Sequence, residues 1–388
     1  MDNDYLIVDN DYLIIDTRIT DDFKKTTFCG YKKKDVFIVL FKSIETKKIE
    51  NACNWLTECL CSGYIEETWQ KLLCFSSNII TINNPNLPNY LYKKNVLLYN
   101  IVNNIDKKKT NETINLRNNQ TIRNLFFSIV TIFALSSKTK RYDKYPKLKD
   151  ADFNFDAISK RFTATVYILP GDFVHYNEPE ELKLVMNEIY THLKNKIGGY
   201  EKALLWTFWI IEWEKRNIKA KNAWHIDNRD IDVQDKFKAD LVWILWELII
   251  LETQNRDNFI KKQILSLYEL YKFQYTSRKR NKRLPYLYQS ICYLTHNINM
   301  NIPLIFDKTI YIQACINNNQ MFKSKKINEH NDIVKDKEVD KKPLPQKKVE
   351  TRMQTEKTLD RLKIFNDLDP IMNSKNEFRK NRRQIKIV

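Results

Sequence analysis

The chain has 388 residues, a formal net charge of +17 and only five glycines, about 1% against roughly 7% in an average protein. Gly30, Gly63, Gly171, Gly198 and Gly199 fit neither a GxGxxG turn, nor a GxxxxGK[ST] loop, nor a GxSxG elbow, which excludes P-loop hydrolysis, Rossmann cofactor binding and the hydrolase nucleophile. With few alternating apolar patterns and 43% hydrophobic residues, the composition predicts an all-α or nearly all-α protein with two modest helical domains, and the charge predicts a polyanionic partner.

An N-terminal arm, residues 1–30, opens with a tandem repeat, Asp2-Asn3-Asp4-Tyr5-Leu6-Ile7-Val8 and Asp9-Asn10-Asp11-Tyr12-Leu13-Ile14-Ile15. Its β-branched, acid-flanked segments read as an extended arm. Tyr5, Leu6, Ile7, Val8, Tyr12, Leu13, Ile14 and Ile15 are then candidates to add to the edge of a partner's sheet, or to pack on the chain itself. Residues 31–145 carry helical spacings: Val36, Leu40 and Ile44, then Ala52, Leu56, Cys59 and Leu60, with Gly63 as a stop and a further helix carrying Trp69, Leu72 and Leu73. Residues 146–160 read as a linker, and Arg161 to Leu169 as the one plain strand. Within a Trp-rich helical domain, 161–318, Leu182, Val185, Ile189 and Leu193 share a face, and Gly198-Gly199 closes a helical hairpin. Two further helices, Gln234 to Glu252 and Asp257 to Tyr275, precede a basic turn, and the helical pattern resumes at Leu284. Residues 319–388 lack apolar periodicity; from 321 onward they hold 19 Lys+Arg against 11 Asp+Glu, which predicts a mostly disordered basic tail with a short helix around Thr355 to Phe365.

Lys42-Ser43-Ile44, Ala52-x-x-Trp55-Leu56, Gly63, Ser77 with Pro85, and Phe133-Ala134-Leu135-Ser136-Ser137-Lys138-Thr139 resemble, in order and in most spacings, the C-terminal helical region of the RarA (MgsA) replication-restart AAA+ ATPases. That family's pattern runs KSI, AxxWL, a Gly, SxDIGxAxP and LALAPKS. The resemblance covers residues 34–141, without the AAA+ module, and implies a clamp-loader-like collar that oligomerises. It implies no ATPase activity, and the acidic-glycine pair of SxDIG is absent here. In style the whole chain also looks like an uncharacterised protein of large AT-rich DNA viruses.

Several constellations bear on chemistry. Cys53, Cys59, Cys61 and Cys74 lack the CxxC spacing of a structural zinc site and read as small buried apolar groups. His175, His192, His225, His296 and His330 show no paired spacing. Asp227, Asp230, Asp232 and Asp235, with His225 and Arg229, form the densest acidic cluster; nucleases hold Mg²⁺ with such carboxylates, yet a solvated turn explains them more simply. Trp206, Trp209 and Trp213 share a helical face and read as core or as a stacking platform. Glu212, Glu214, Asp240 and Glu247 need cationic partners if buried, with Lys215, Arg216 and Lys236 nearest in sequence.

The sharpest charge feature is the turn Arg278, Lys279, Arg280, Lys282 and Arg283, followed by Tyr286 and Tyr288; the second is Arg379, Lys380, Arg382 and Arg383 in the tail. Both are candidates for phosphate contacts, the turn also for nuclear import, and Lys107 to Lys109 with Lys138, Lys140 and Arg141 add basic loops. Together these features predict a non-enzymatic nucleic-acid-associated scaffold or accessory factor of replication, repair or transcription, binding DNA or RNA without reading sequence. Protein partners and self-association are expected, a cofactor or metal is not. The alternative classes are a virion-type structural protein and, behind it, a metal-dependent nuclease. Seven cysteines without framework spacing, no basic leader and apolar runs too short for a bilayer predict an intracellular protein without a membrane span, in a host nucleus or a cytoplasmic viral factory.

Overall fold

A computed structural model describes residues 11–105, 112–139, 148–221 and 226–329. In chain order the helices are α1 (Lys33–Glu45), α2 (Ile49–Cys61), α3 (Ile65–Phe75), α4 (Leu87–Asn104), α5 (Glu112–Asn118), α6 (Gln120–Leu135), α7 (Phe155–Ser159), α8 (Glu180–Lys194), α9 (Gly199–Ala220), α10 (Val242–Thr253), α11 (Asn258–Lys272), α12 (Ser277–Thr295), α13 (Lys308–Ile316) and α14 (Asn318–Lys326). The fold is all-α: among the described residues the only β pairing is an isolated bridge between Thr26 and Lys32. No helix among them is long and apolar enough to cross a membrane.

Two helices organise the packing because they are apolar on more than one face. The side chain of Asn119 caps α6 by accepting from the Ile122 amide, and the helix then buries Leu125, Phe126, Phe127, Ile129, Val130, Ile132 and Phe133 against α1, α2, α13 and α14. Gly63 ends α2 at φ +72°, and a Cβ there would stand 2.5 Å from the Thr20 hydroxyl, so both the turn and the arm crossing it require glycine. In the second half, α8 and α9 form the expected hairpin, and α10 sets Trp243 and Trp246 against Tyr271 of α11. The helix α12 lies between the halves, with α8 to α11 on one side and α3 with its following π turn, Ser76–Ile80, on the other.

Polar ties cross the same boundary: the Asn89 amide donates to Gln263 at 3.0 Å, and the Tyr293 hydroxyl donates to the Pro85 carbonyl at 2.8 Å. The apolar interior runs on through both halves, so the segments read as two domains, 31–145 and 161–318, share one core.

Several expectations are corrected. Arg161 to Leu169 forms no strand, because no neighbouring strand pairs with it. Side chains of α8 take the ladder's place: Glu188 accepts from the Thr163 and Ala164 amides at 2.9 and 2.8 Å, and Asn187 accepts from the Ile168 amide at 2.8 Å. In the arm, Ile14 is fully buried and its amide and carbonyl bond the Asn118 side chain, while Tyr12 lies beneath Arg123. Ile14 and Tyr12 belong to the chain's own core, Leu13 is half-buried, and Ile15 is the exposed apolar residue among the described ones of this copy. Tyr5, Leu6, Ile7 and Val8 lie outside the described residues.

The tail also begins later than the pattern predicts, since α14 buries Phe322 and sets Lys325 against the buried Glu58 at 3.2 Å. Phe322 and Lys325, with the buried Asn318 bonded to Gln120 and Met321 packed on the core, dock a helix whose sequence shows no apolar stripe.

Candidate nucleic-acid interface

The stretch read as a basic turn, Arg278 to Arg283, is the start of α12. Thr276 caps it, its hydroxyl accepting from the Lys279 amide at 3.2 Å. Contacts then sort the bases. Arg278 and Lys282 are exposed and Lys279 is half-buried, whereas the guanidiniums of Arg280 and Arg283 are engaged by neighbouring helices. Arg283 is buried and donates to the Tyr271 and Phe273 carbonyls at 2.9 and 2.5 Å and to Gln70 at 3.1 Å. Arg280 pairs with Glu214 and, at 3.7 Å, with Asp240. The placement of these two among phosphate ligands is therefore corrected: their guanidiniums satisfy buried acceptors and hold α12 to α9 and α11.

Arg278, Lys279, Lys282 and the edge of Arg283 line a cleft of about 1660 Å³ beside α1 and α3. Lys24, Lys25, Lys32 and Lys34 line the same cleft. A tight turn brings these four lysines together. The Lys33 amide donates to the Lys25 carbonyl at 3.0 Å, and the Thr27 amide to the Tyr31 carbonyl at 2.8 Å, around Gly30 at φ +86°. The turn is bolted to α2, because Glu58 accepts from the Cys29 amide at 2.7 Å and Ser62 from the Phe28 amide at 2.8 Å. Phe37, Phe41, Phe75 and Ile79 make the floor, with Ile38 exposed above it.

The charge in the cleft is unbalanced. Glu67 is taken by Lys33 at 2.6 Å and Lys71 at 3.7 Å, and Glu66 by Lys279 at 3.7 Å. Burial, then the neighbouring Arg283, push the Lys279 ammonium below its usual range. Among the described residues Lys24 pairs with the exposed Asp21. Lys25, Lys32, Lys34, Arg278 and Lys282 pair with no carboxylate among the described residues. Surface lysines ordinarily stand among acids, so a cluster of unpaired cations around a concavity concentrates positive potential there.

Sequence reading found only the α12 cations. The others were signalled by Lys24-Lys25 and Lys32-Lys33-Lys34 on either side of Gly30, two runs that only a tight turn makes one patch. Arg379, Lys380, Arg382 and Arg383, like Lys107 to Lys109, Lys140 and Arg141, lie outside the described residues.

The backbone beside the cleft is unusual. After α3 the chain makes the π turn that presents Asn78 and Ile79, and Thr81 then adopts φ +52°, a region a β-branched residue rarely enters.

The other candidate sites resolve as packing. Trp206 and Trp209 are buried, and Trp209 donates to the Asp152 carbonyl at 2.6 Å, which removes the stacking platform. In the acidic loop, ligand atoms of His175, Glu178 and Asp227 come within 4.8 Å of one another. Arg229 already supplies the cation there: it donates to both Glu178 oxygens at 2.7 and 2.6 Å and to His175 Nε2 at 2.9 Å. Since arginine can only donate, that nitrogen accepts, and the His175 proton sits on Nδ1 facing Asp227 at 3.1 Å. Asp230 and Asp235 are exposed and stand outside this network, so the acids do not assemble as nuclease ligands. The partner of Glu214 is Arg280 rather than a neighbour in sequence, and that of Glu247 is Arg229 at 3.6 Å.

Cys53, Cys59 and Cys61 are buried, and burial raises each thiol above its ordinary range, against any nucleophilic use. No family model, curated protein or solved structure matches the chain.

Proposed function

We propose that this protein is a non-enzymatic nucleic-acid-associated scaffold, an accessory factor of replication, repair or transcription, that holds phosphate backbone in the cleft between α1, α3 and α12. The observation that carries this reading is one cleft lined by five cations, Lys25, Lys32, Lys34, Arg278 and Lys282, that pair with no carboxylate among the described residues. Ammonium and guanidinium groups spaced along a concavity neutralise phosphates without reading bases, and the released counterions supply the free energy.

The collar-like resemblance gives the cleft a setting, since its residues 34–141 include the α1 and α3 walls. Thr81 supports that reading. It stands where the SxDIGxAxP pattern has its glycine, and its φ of +52° is the backbone conformation a glycine would serve.

The test replaces Lys25, Lys32, Lys34, Arg278 and Lys282 with Glu and measures binding to labelled DNA and RNA, with Lys196→Glu/Lys202→Glu as a control outside the cleft. All five positions carry polar, partly or fully exposed side chains, so the fold is retained. Affinity is expected to fall by at least about 100-fold and the salt dependence to flatten. Unchanged affinity in the five-site variant would remove the cleft from the function.

A further inference from the structure

We infer that the cleft takes a single strand of nucleic acid, with bases against its exposed apolar residues and its one phosphate backbone on the basic side chains that line it. The inference rests on the proposed function and narrows its substrate.

The floor decides between ligands. Phe41 stacks on Phe75 with ring centres 5.2 Å apart and planes at 28°, and Phe75 stacks on Phe133 at 6.0 Å and 22°. The outermost ring of this stack, Phe41, is half-buried at the cleft, next to Ile38 with 54% of its surface exposed. The Phe37 ring beside them carries the Lys71 ammonium 4.8 Å from its centre. Exposed apolar side chains beside cations suit a ligand that offers uncovered apolar faces next to a line of anionic groups.

A duplex does not have that form. Its outer surface is sugar and phosphate and its base faces are stacked inside, so a duplex on these cations would leave Ile38 and Phe41 facing water. An unpaired strand exposes base faces that gain by covering, and every base has one, so the site tolerates any sequence. The acids lining the cleft agree with an anionic ligand. Glu66 and Glu67 are already paired within the wall, and Glu45 stands at the end of α1.

The experiment uses the full chain and follows anisotropy of labelled oligothymidylate, the matching duplex and a poly-glutamate control across a salt series. It is repeated for Ile38→Ser, which alters an exposed side chain, and for Phe41→Ala. A fluorescent purine analogue in the strand reports stacking directly. Expected are tighter binding of the single strand than of the duplex by about tenfold or more, quenching of the analogue, and an affinity loss of about tenfold in each variant for the single strand alone. With five phosphates neutralised, the slope of log affinity against log salt for the single strand is expected near about −3.5. Equal affinity for both forms, with no quenching and no effect of Ile38→Ser, would overturn the single-strand inference and leave the phosphate-binding reading standing. Binding of poly-glutamate with no binding of any nucleic acid would overturn both.

Discussion

At the scale of single residues, buried charge is handled by pairing, and the pairs sit where segments distant in sequence meet. Glu58 is fully buried. Burial alone would raise its pKa, but the Lys325 ammonium and hydrogen bonds from Cys29 and Thr27 outweigh it and hold the carboxyl below its usual range. Removing one partner strands the other, so Lys325→Met is expected to cost about 3–5 kcal/mol in urea unfolding. Glu58→Gln/Lys325→Met together, which keeps an acceptor for the Cys29 amide and removes the stranded charge, should recover part of that loss, which a double-mutant cycle measures.

Glu188 and His192 are coupled in the same way, at 2.8 Å. For Glu188, burial raises the pKa, but the Thr163 and Ala164 amides, the Thr163 hydroxyl and His192 lower it by more. For His192, burial lowers the pKa against the opposing pull of Glu188. Both groups therefore bind protons more weakly folded than unfolded, and their contribution is lost as pH falls. The expected stability profile declines below about pH 6.5, where unfolded histidine begins to protonate, and steepens near the carboxylate range. His192→Gln should flatten the first part of that decline in a denaturation series. None of these pairings was legible beforehand, because spacing identifies a buried face and does not identify the partner that neutralises a charge on it.

At the scale of elements, α12 shows what periodicity misses. Its first two turns are polar and Pro285 follows, so the apolar pattern begins only at Leu284. The helix nevertheless starts at Ser277, because Thr276 caps it and Arg283 ties it to the end of α11. Proline is tolerated because the carbonyl it leaves without a donor belongs to the exposed Asn281, which water can serve. Removing the cap with Thr276→Ala is expected to cost about 1 kcal/mol and to weaken nucleic-acid binding several-fold, since the α12 cations stand on that turn.

Two neighbours on the same helix should separate cleanly. Arg283→Ala leaves buried carbonyls without a donor and is expected to cost about 3 kcal/mol. Lys282→Ala should change stability by less than about 0.5 kcal/mol while lowering affinity. Thermal melts beside binding curves read both. If instead Arg283→Ala lowered affinity without lowering stability, the assignment of Arg283 to the buried carbonyls of α11 would be wrong.

At the scale of the whole molecule, the two ends of the described chain meet. Glu329 accepts from the amides of Ile15 and, at 3.1 Å, of Asp16, Lys323 pairs with Asp11 at 2.7 Å, and α14 covers α2 and α6. Glu329→Ala is expected to raise the hydrogen-exchange rates of the Ile15 and Asp16 amides by about tenfold and to leave those of α6 unchanged.

What the sequence by itself determined was the class of architecture. Five glycines and apolar spacings of three and four permit helices and little else, and the density of lysine and arginine fixes a strongly positive chain. These are local properties of the chain, readable within a window of one helix. The tertiary structure alone decided which of the described cations are paired. Contacts with α9 and α11 engage Arg280 and Arg283, while Arg278 and Lys282 stay exposed at the cleft. Packing of α12 against α3 then brings them to the same cleft as Lys25, Lys32 and Lys34 from the other end of the sequence. Charge is carried by residues, but a binding surface is made by the contacts that pair some of them and leave others open.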